Sequence, residues 1–135
     1  MASNRVQQLL ELTEIYNSGD VESYLAALSP EFEFTPDPSF PDSDRLSGER
    51  LRAWMREWSE TWEGNRLEVI EIEERSGAVL LRGRWHLSMS PDSVEVPNAD
   101  FTLLAIWGED EQLRKLYAFF DHERALAMLA SETGP

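Results

Sequence analysis

Apolar residues recur along the chain with two different spacings, and each spacing predicts one kind of element. Steps of three and four residues, which place side chains on one face of a helix, predict helices over 4–18, 21–28, 48–62 and 122–129. Strict alternation, which places side chains on opposite faces of a strand, predicts strands over 31–35, 66–74, 78–90, 99–108 and 112–120. Ser76-Gly77 predicts a tight hairpin, and residues 36–46 and 90–98 predict longer loops.

The order of these elements predicts an α+β fold. Four consecutive strands joined by turns pair as an antiparallel sheet, and helices gathered at one end of the chain cover one face of it. A curved sheet wrapped around the N-terminal helices, in the shape of a cone, satisfies both conditions. The length of 135 residues suits a single domain over 1–135.

The alternation within the strand at 78–90 predicts which side chains face the helices. Its odd residues are mostly large and apolar, whereas Arg82 and Arg84 are even and are expected on the outer face. Gly83 and Ala105 are expected to leave room for a bend or a cavity. Aromatic residues on the odd faces and on the helix at 48–62 predict a pocket for a flat apolar ligand, or alternatively a packed core. The predicted ligand-binding residues are Phe34, Trp54, Trp58, Trp85, Met89, Phe101 and Phe120.

The charge balance and the residue types present narrow the classes of partner. Asp and Glu number 26 against 12 Lys and Arg, for a net charge of −14, and this field repels nucleic acid and anionic membranes. The chain has no Cys and two His, and it has no nucleotide-binding glycine motif, so we expect no cofactor and no metal. We also expect no membrane span and a cytoplasmic location.

Five segments carry a resemblance to a known superfamily. They are YNSGD (16–20), LSPEFEFTPD (28–37), SGERLRAW (47–54), RLEVIEIEERSG (66–77) and FFDHERALAML (119–129). Together they resemble the SnoaL-like branch of the nuclear transport factor 2-like superfamily. The resemblance implies a cystatin-like cone with a six-stranded mixed sheet, and homodimers through the outer face of the sheet. It also implies a small apolar ligand, polycyclic or carbonyl, and cyclase, isomerase, dehydratase or binding functions.

The resemblance also implies where catalytic residues would lie, and most of those positions are apolar here. Asp37 matches the catalytic base of the ketosteroid isomerases, an enzyme class in which Tyr and a protonated Asp form the oxyanion hole. The positions of those two donors are Leu12 and Leu103 in this chain, and the position of the cyclase acid/base is Ala118. Tyr16, one helical turn from Leu12, is the candidate substitute donor.

Two functions therefore stay open at this stage. In the first, the protein is a proton-transfer enzyme of isomerase, cyclase or dehydratase type, with Asp37 as base and Tyr16 as donor. In the second, it is a non-catalytic ligand-binding or dimeric accessory protein with a degenerate active site. The predicted homodimer contact contains Arg82, Arg84, Asp100, Thr102 and Tyr117, because Tyr117 and Phe119 place aromatic surface on the outer face.

Overall fold

The computed structural model describes residues 4–37, 45–61, 64–88 and 100–133. Its helices are α1 (Asn4–Asn17), α2 (Val21–Ala26), α3 (Gly48–Thr61) and α4 (His122–Thr133). Its strands are β1 (Glu33–Thr35), β2 (Leu46–Ser47), β3 (Gly64–Arg75), β4 (Ala78–Ser88), β5 (Asp100–Trp107) and β6 (Leu113–Phe119). Met89 and the predicted turn at 90–98 lie outside the described residues. None of the described helices is long and apolar enough to cross a membrane.

Every predicted helix and strand is present, and one strand was missed. The sheet has the order β2-β1-β6-β5-β4-β3, in which β1 runs parallel to β6 and all other neighbours are antiparallel. The β3–β4 turn has positive φ at both Ser76 and Gly77, as a tight hairpin of this kind requires. The predicted α+β cone with a mixed sheet is therefore confirmed. The missed strand, β2, is two residues long and carries too little alternation to detect.

Acidic residues begin two of the helices. The Oδ1 atom of Asp20 accepts a hydrogen bond from the backbone N–H of Ser23 at 3.0 Å, and Asp121 accepts one from Glu123 at 3.0 Å. Hydrogen bonds from the Ser23 hydroxyl and backbone lower the pKa of Asp20. Both acids satisfy donors that a helix N-terminus leaves without partners, so both cap the helices that follow them.

The inner face of the sheet packs against α1 and α3. Val79, Leu81 and Trp85 of β4 are buried in one cluster with residues of these two helices. Arg82 and Arg84 of the same strand are exposed. The predicted register of β4 is therefore confirmed, since a shift of one residue would exchange the two sets.

The outer face of the sheet is covered in part by α4, which corrects the prediction that helices cover one face only. Leu80, Leu104 and Phe119 form a second buried cluster with Ala125 and Leu129 of α4. Leu80 of β4 and Leu104 of β5 are apolar residues at even positions. Both faces of the sheet are therefore apolar beside α4, and both must be buried. Periodicity identified the apolar side of α4, but it could not identify the face of the sheet that receives it.

This placement of α4 weakens the basis for the predicted dimer contact. Phe119 is 7% exposed under α4, and Thr102 is buried with its hydroxyl 3.0 Å from Nδ1 of His122. Tyr117 stacks on Phe119 with 6.2 Å between the ring centroids and packs against the same cluster. Aromatic surface that was expected to need a second copy of the chain is thus largely covered within one copy.

Ion pairs occupy the outer face beyond α4. Arg84 donates to Asp100 at 2.8 Å, from β4 to the neighbouring β5. Nε2 of His86 lies 2.8 Å from a carboxylate oxygen of Glu68 on β3, and this hydrogen bond lowers the pKa of Glu68. These side chains are largely exposed, so we assign them little net stabilisation.

Gly83 is a point of close approach between strands and does not border an open space. A Cβ atom at this position would lie 2.5 Å from the carbonyl oxygen of Glu68 and 3.0 Å from the ring of Phe101. β3 has a bulge between Val69 and Glu71 at the same level. Of the bend or cavity expected at Gly83, the bulge in β3 agrees with the bend, and the Phe101 ring fills the space that a cavity would need.

Gly83→Ala should lower the free energy of unfolding by about 1–3 kcal/mol, because the backbone of β3 or the Phe101 ring must move. Urea denaturation measures the change. Gly108→Ala is the matched control, since its Cβ would meet the Arg114 side chain at 2.9 Å, and a side chain yields more easily than a strand. A smaller loss for Gly83→Ala than for Gly108→Ala would contradict the close approach.

Candidate functional site

A hollow lies between α1, α3 and the inner face of the sheet. The helices supply Leu9, Leu12, Thr13, Tyr16, Tyr24, Leu51, Trp54, Met55 and Trp58. β1 and the residues before it supply Phe32 and Phe34, and the rest of the sheet supplies Leu67, Trp85, Leu103, Leu116 and Ala118. The volume open to the centre of a water molecule is about 60 Å³. This is less than the roughly 150 Å³ of an apolar cavity that holds benzene, so a ligand with one ring needs the side chains of the wall to move apart.

Aromatic rings form a continuous series along one side of the hollow. Trp54 stacks on Trp58, one helical turn later in α3, with 5.3 Å between ring centroids and 11° between planes. Phe34 lies 5.5 Å from Trp54 at one end of the series, and Trp85 lies 6.3 Å from Trp58 at the other. The spacing of four residues in α3 places both indoles on the face that meets the sheet. Such a wall offers flat contact surface to an apolar molecule.

The polar side chains of the wall are few, and Thr13, Tyr16 and Trp58 already hold hydrogen bonds within the protein. The Thr13 hydroxyl donates to the backbone oxygen of Leu9 at 2.9 Å, and the Tyr16 phenol accepts from Nε1 of Trp58 at 3.1 Å. Burial raises the pKa of Tyr24, so its phenol stays neutral at physiological pH. Nε1 of Trp85 is buried and has no hydrogen-bond partner among the described residues.

The predicted site residues fall into three groups. Five of them line the hollow: Tyr16, Phe34, Trp54, Trp58 and Trp85. Two touch the wall from outside the hollow: the ring of Phe101 stacks on Trp85 at 4.0 Å, and that of Phe120 meets Trp85 edge-on at 6.4 Å. Met89 lies outside the described residues. Ligand binding at these positions stays a prediction.

Asp37 is buried and lies apart from the residues that line the hollow. It is 5% exposed, and its Oδ2 atom accepts a hydrogen bond from the backbone N–H of Phe120 at 2.8 Å. This bond joins the chain just after β1 to the chain just before α4. The sequence makes Asp37 the candidate base, and no local pattern indicates a partner 83 residues away. Its role as a base stays a prediction.

Comparison with solved structures identifies the fold. A nuclear transport factor 2-like protein of unknown function from Burkholderia pseudomallei has a TM-score of 0.69, at 18% identity over 99% of this chain and 100% of its own. TerC, co-crystallised with polyporic acid, has a TM-score of 0.68, at 15% identity over 94% of this chain and 98% of its own. The fold is nuclear transport factor 2-like.

The SnoaL-like proteins are among the structures that share this fold. A protein from Shewanella denitrificans assigned to the SnoaL-like polyketide cyclases has a TM-score of 0.67, at 12% identity over 93% of this chain and 96% of its own. In sequence, no family model and no curated protein matches the chain. At these identities the structural similarity establishes the nuclear transport factor 2-like fold, whereas function must be argued from the site.

Within this nuclear transport factor 2-like fold, the hollow coincides with three positions that the resemblance assigned to catalytic groups. Leu12, Leu103 and Ala118 all line it. Their side chains can neither donate nor accept a hydrogen bond or a proton. The space in which the related enzymes would do chemistry is therefore apolar in this chain.

Asp37→Ala should lower the free energy of unfolding by about 1–3 kcal/mol, because the Phe120 N–H loses its acceptor. Asp37→Asn should cost less than half as much, since the amide oxygen can still accept that bond. Chemical denaturation of the three proteins side by side measures both changes. Equal losses in the two variants would show that the Phe120 hydrogen bond does not account for the burial of Asp37.

Proposed function

We propose that this protein binds a small, neutral, mostly apolar molecule in the hollow between α3 and the sheet. The observation that carries the proposal is the wall itself, on which three indoles and Phe34 surround a small apolar space. Pockets for small molecules are typically concave and apolar, with a few placed polar groups. A tightly packed core of the same composition would leave less space.

The charges support a neutral ligand. In the described part of the chain, the wall holds no Lys, Arg, Asp or Glu. An anion would lose its water in the hollow without gaining a positive partner, and it would approach a protein with a net charge of −14. A cation would gain attraction from the surrounding field but would also lose its hydration inside.

The apolar residues at the catalytic positions favour binding over chemistry. An enolate formed beside Leu12 and Leu103 would have no hydrogen-bond donor from either residue, and such donors are a main source of rate enhancement. A protein of the same fold, TerC, was co-crystallised with an organic molecule, polyporic acid. The first observation supports a binding protein with a degenerate active site, and the second supports the capacity of this fold to hold an organic ligand.

Filling the hollow tests this proposal. Ala118→Leu adds three carbon atoms to its wall, and we expect the affinity for acetophenone and ethylbenzene to fall at least tenfold, because the added atoms occupy the space of the ligand. Isothermal titration calorimetry measures the affinity. Ala53→Leu, on the exposed side of α3, is the matched control and should leave both affinities unchanged. Failure of the unmodified protein to bind either compound would refute the proposal.

Proton transfer by Asp37 is the second candidate function. What favours it is a buried carboxylate connected to the wall of the hollow, because Asp37 holds the backbone of Phe120 and the Phe120 ring meets Trp85. Buried carboxyl groups are uncommon and are enriched at functional sites. In this candidate Asp37 removes a proton from the carbon next to a ketone, and the Tyr16 phenol donates to the ketone oxygen.

Deuterium exchange tests the second candidate without knowledge of the natural substrate. The protein should accelerate incorporation of deuterium into the methyl group of acetophenone in D₂O, as followed by proton NMR. A positioned base contributes roughly 10²–10⁴-fold, so Asp37→Asn should return the rate to that of buffer while leaving binding intact. No acceleration by the unmodified protein, or equal acceleration by Asp37→Asn, would eliminate Asp37 as the base.

We also propose a homodimer. Its contact contains fewer of the predicted residues than the sequence indicated. Arg82, Arg84 and Asp100 remain exposed, and Ile70 on β3 is 55% exposed. We expect light scattering at tens of micromolar protein to give twice the mass of one chain. A monomer mass at that concentration would rule out the dimer. Cytoplasmic location likewise stays a proposal.

A further inference from the structure

The indole N–H of Trp85 is a hydrogen-bond donor without a partner. Trp85 is 8% exposed, its Nε1 atom is buried, and none of the described residues accepts from it. Buried polar groups are nearly always hydrogen-bonded, and buried Trp side chains usually find an acceptor for the N–H. The indole N–H of Trp58 in the same wall donates to Tyr16. Trp85 therefore differs from its neighbour in a way that needs an explanation.

Packing alone does not explain a Trp at this position. The ring is held by aromatic neighbours on several sides: Phe101 stacks on it at 4.0 Å, Phe120 meets its edge at 6.4 Å, and Trp58 is tilted against it at 6.3 Å. A Phe or Leu side chain could fill such a site without burying an N–H, and an unpaired buried donor is a significant penalty to folding. The donor is thus fixed in place and desolvated, on a residue that lines the hollow.

Water is a poor partner for this donor. A water molecule inside a protein typically needs two to four polar neighbours. The neighbours that a water molecule could use in this wall are the hydroxyls of Thr13, Tyr16 and Tyr24, and the first two already hold one hydrogen bond each. An oxygen atom attached to an apolar molecule needs only one donor, because the rest of that molecule contacts the rings.

We propose that the Trp85 N–H is the polar anchor of the hollow and selects ligands that carry a neutral hydrogen-bond acceptor, such as the carbonyl oxygen of a small aromatic ketone. This inference rests on the proposed function and adds the chemical class of the ligand. The apolar part lies along Trp54 and Trp58, and the oxygen accepts from Nε1 of Trp85. The acceptor is neutral because the described wall offers no cation to balance an anion.

A thermodynamic cycle with two ligands and two proteins tests the anchor. Acetophenone and ethylbenzene have nearly the same shape, but only acetophenone has an acceptor, and Trp85→Phe removes the donor while keeping an aromatic ring. Because the two ligands differ in hydrophobicity, the quantity compared is the loss of affinity of each ligand between the two proteins. We expect a loss of roughly 3- to 10-fold for acetophenone, the value of one net hydrogen bond, and less than twofold for ethylbenzene.

Trp54→Phe is the matched control, because it removes an indole from the same wall and should change both affinities by the same factor. A second measurement needs no variant. In ¹H–¹⁵N spectra of the unmodified protein, the Trp85 indole signal, assigned by its loss in Trp85→Phe, should move downfield with acetophenone and not with ethylbenzene.

The outcomes separate this inference from the proposed function. If both ligands bind and Trp85→Phe weakens them by equal factors, or if the Trp85 signal responds equally to both, the anchor is refuted and the binding function stands. If neither ligand binds the unmodified protein, the proposed function fails and the anchor fails with it. Selective loss of acetophenone affinity, with the selective downfield shift, supports the anchor.

Discussion

The close approach of β3 and β4 at Gly83 determines the shape of the wall on which the site depends. Because Gly83 has no side chain, the ring of Phe101 occupies the space that a side chain at this position would need. Phe101 in turn supports Trp85 in a stack at 4.0 Å, and Trp85 meets Trp58 of α3. A larger residue at position 83 would displace this series of rings from its base. Gly83 thus affects the shape of the hollow through the rings of Phe101 and Trp85, although Gly83 itself does not line it.

The same series of rings explains why the chemistry of the hollow is so limited. Aromatic and aliphatic side chains leave few atoms that can form hydrogen bonds, so each polar atom in the wall strongly affects what can bind. The Tyr16–Trp58 bond uses one donor and one acceptor within the protein. The Trp85 donor is buried in the same wall and has no hydrogen-bond partner among the described residues. Selectivity in such a site depends on the position of single atoms more than on charge.

Much of the fold could be predicted from sequence, because the patterns that specify it are local. Alternation in β4 indicated that Trp85 points toward the helices, and the four-residue spacing in α3 placed Trp54 and Trp58 on one face. What could not be predicted depends on contacts between distant segments. The face of the sheet that α4 covers, the Phe101 ring above Gly83 and the hydrogen bond from Phe120 to Asp37 all belong to this group.

The hydrogen bond between Asp37 and Phe120 connects the two sides of the sheet. Phe120 follows directly after β6 and precedes α4, which packs on the outer face, while its ring touches Trp85 on the inner face. Fixing the Phe120 backbone therefore fixes both the start of α4 and the edge of the aromatic wall. A buried carboxylate at this junction has a structural reason to exist even without catalysis. That reason holds whether or not the same carboxylate also moves a proton, so its burial alone cannot identify it as a base.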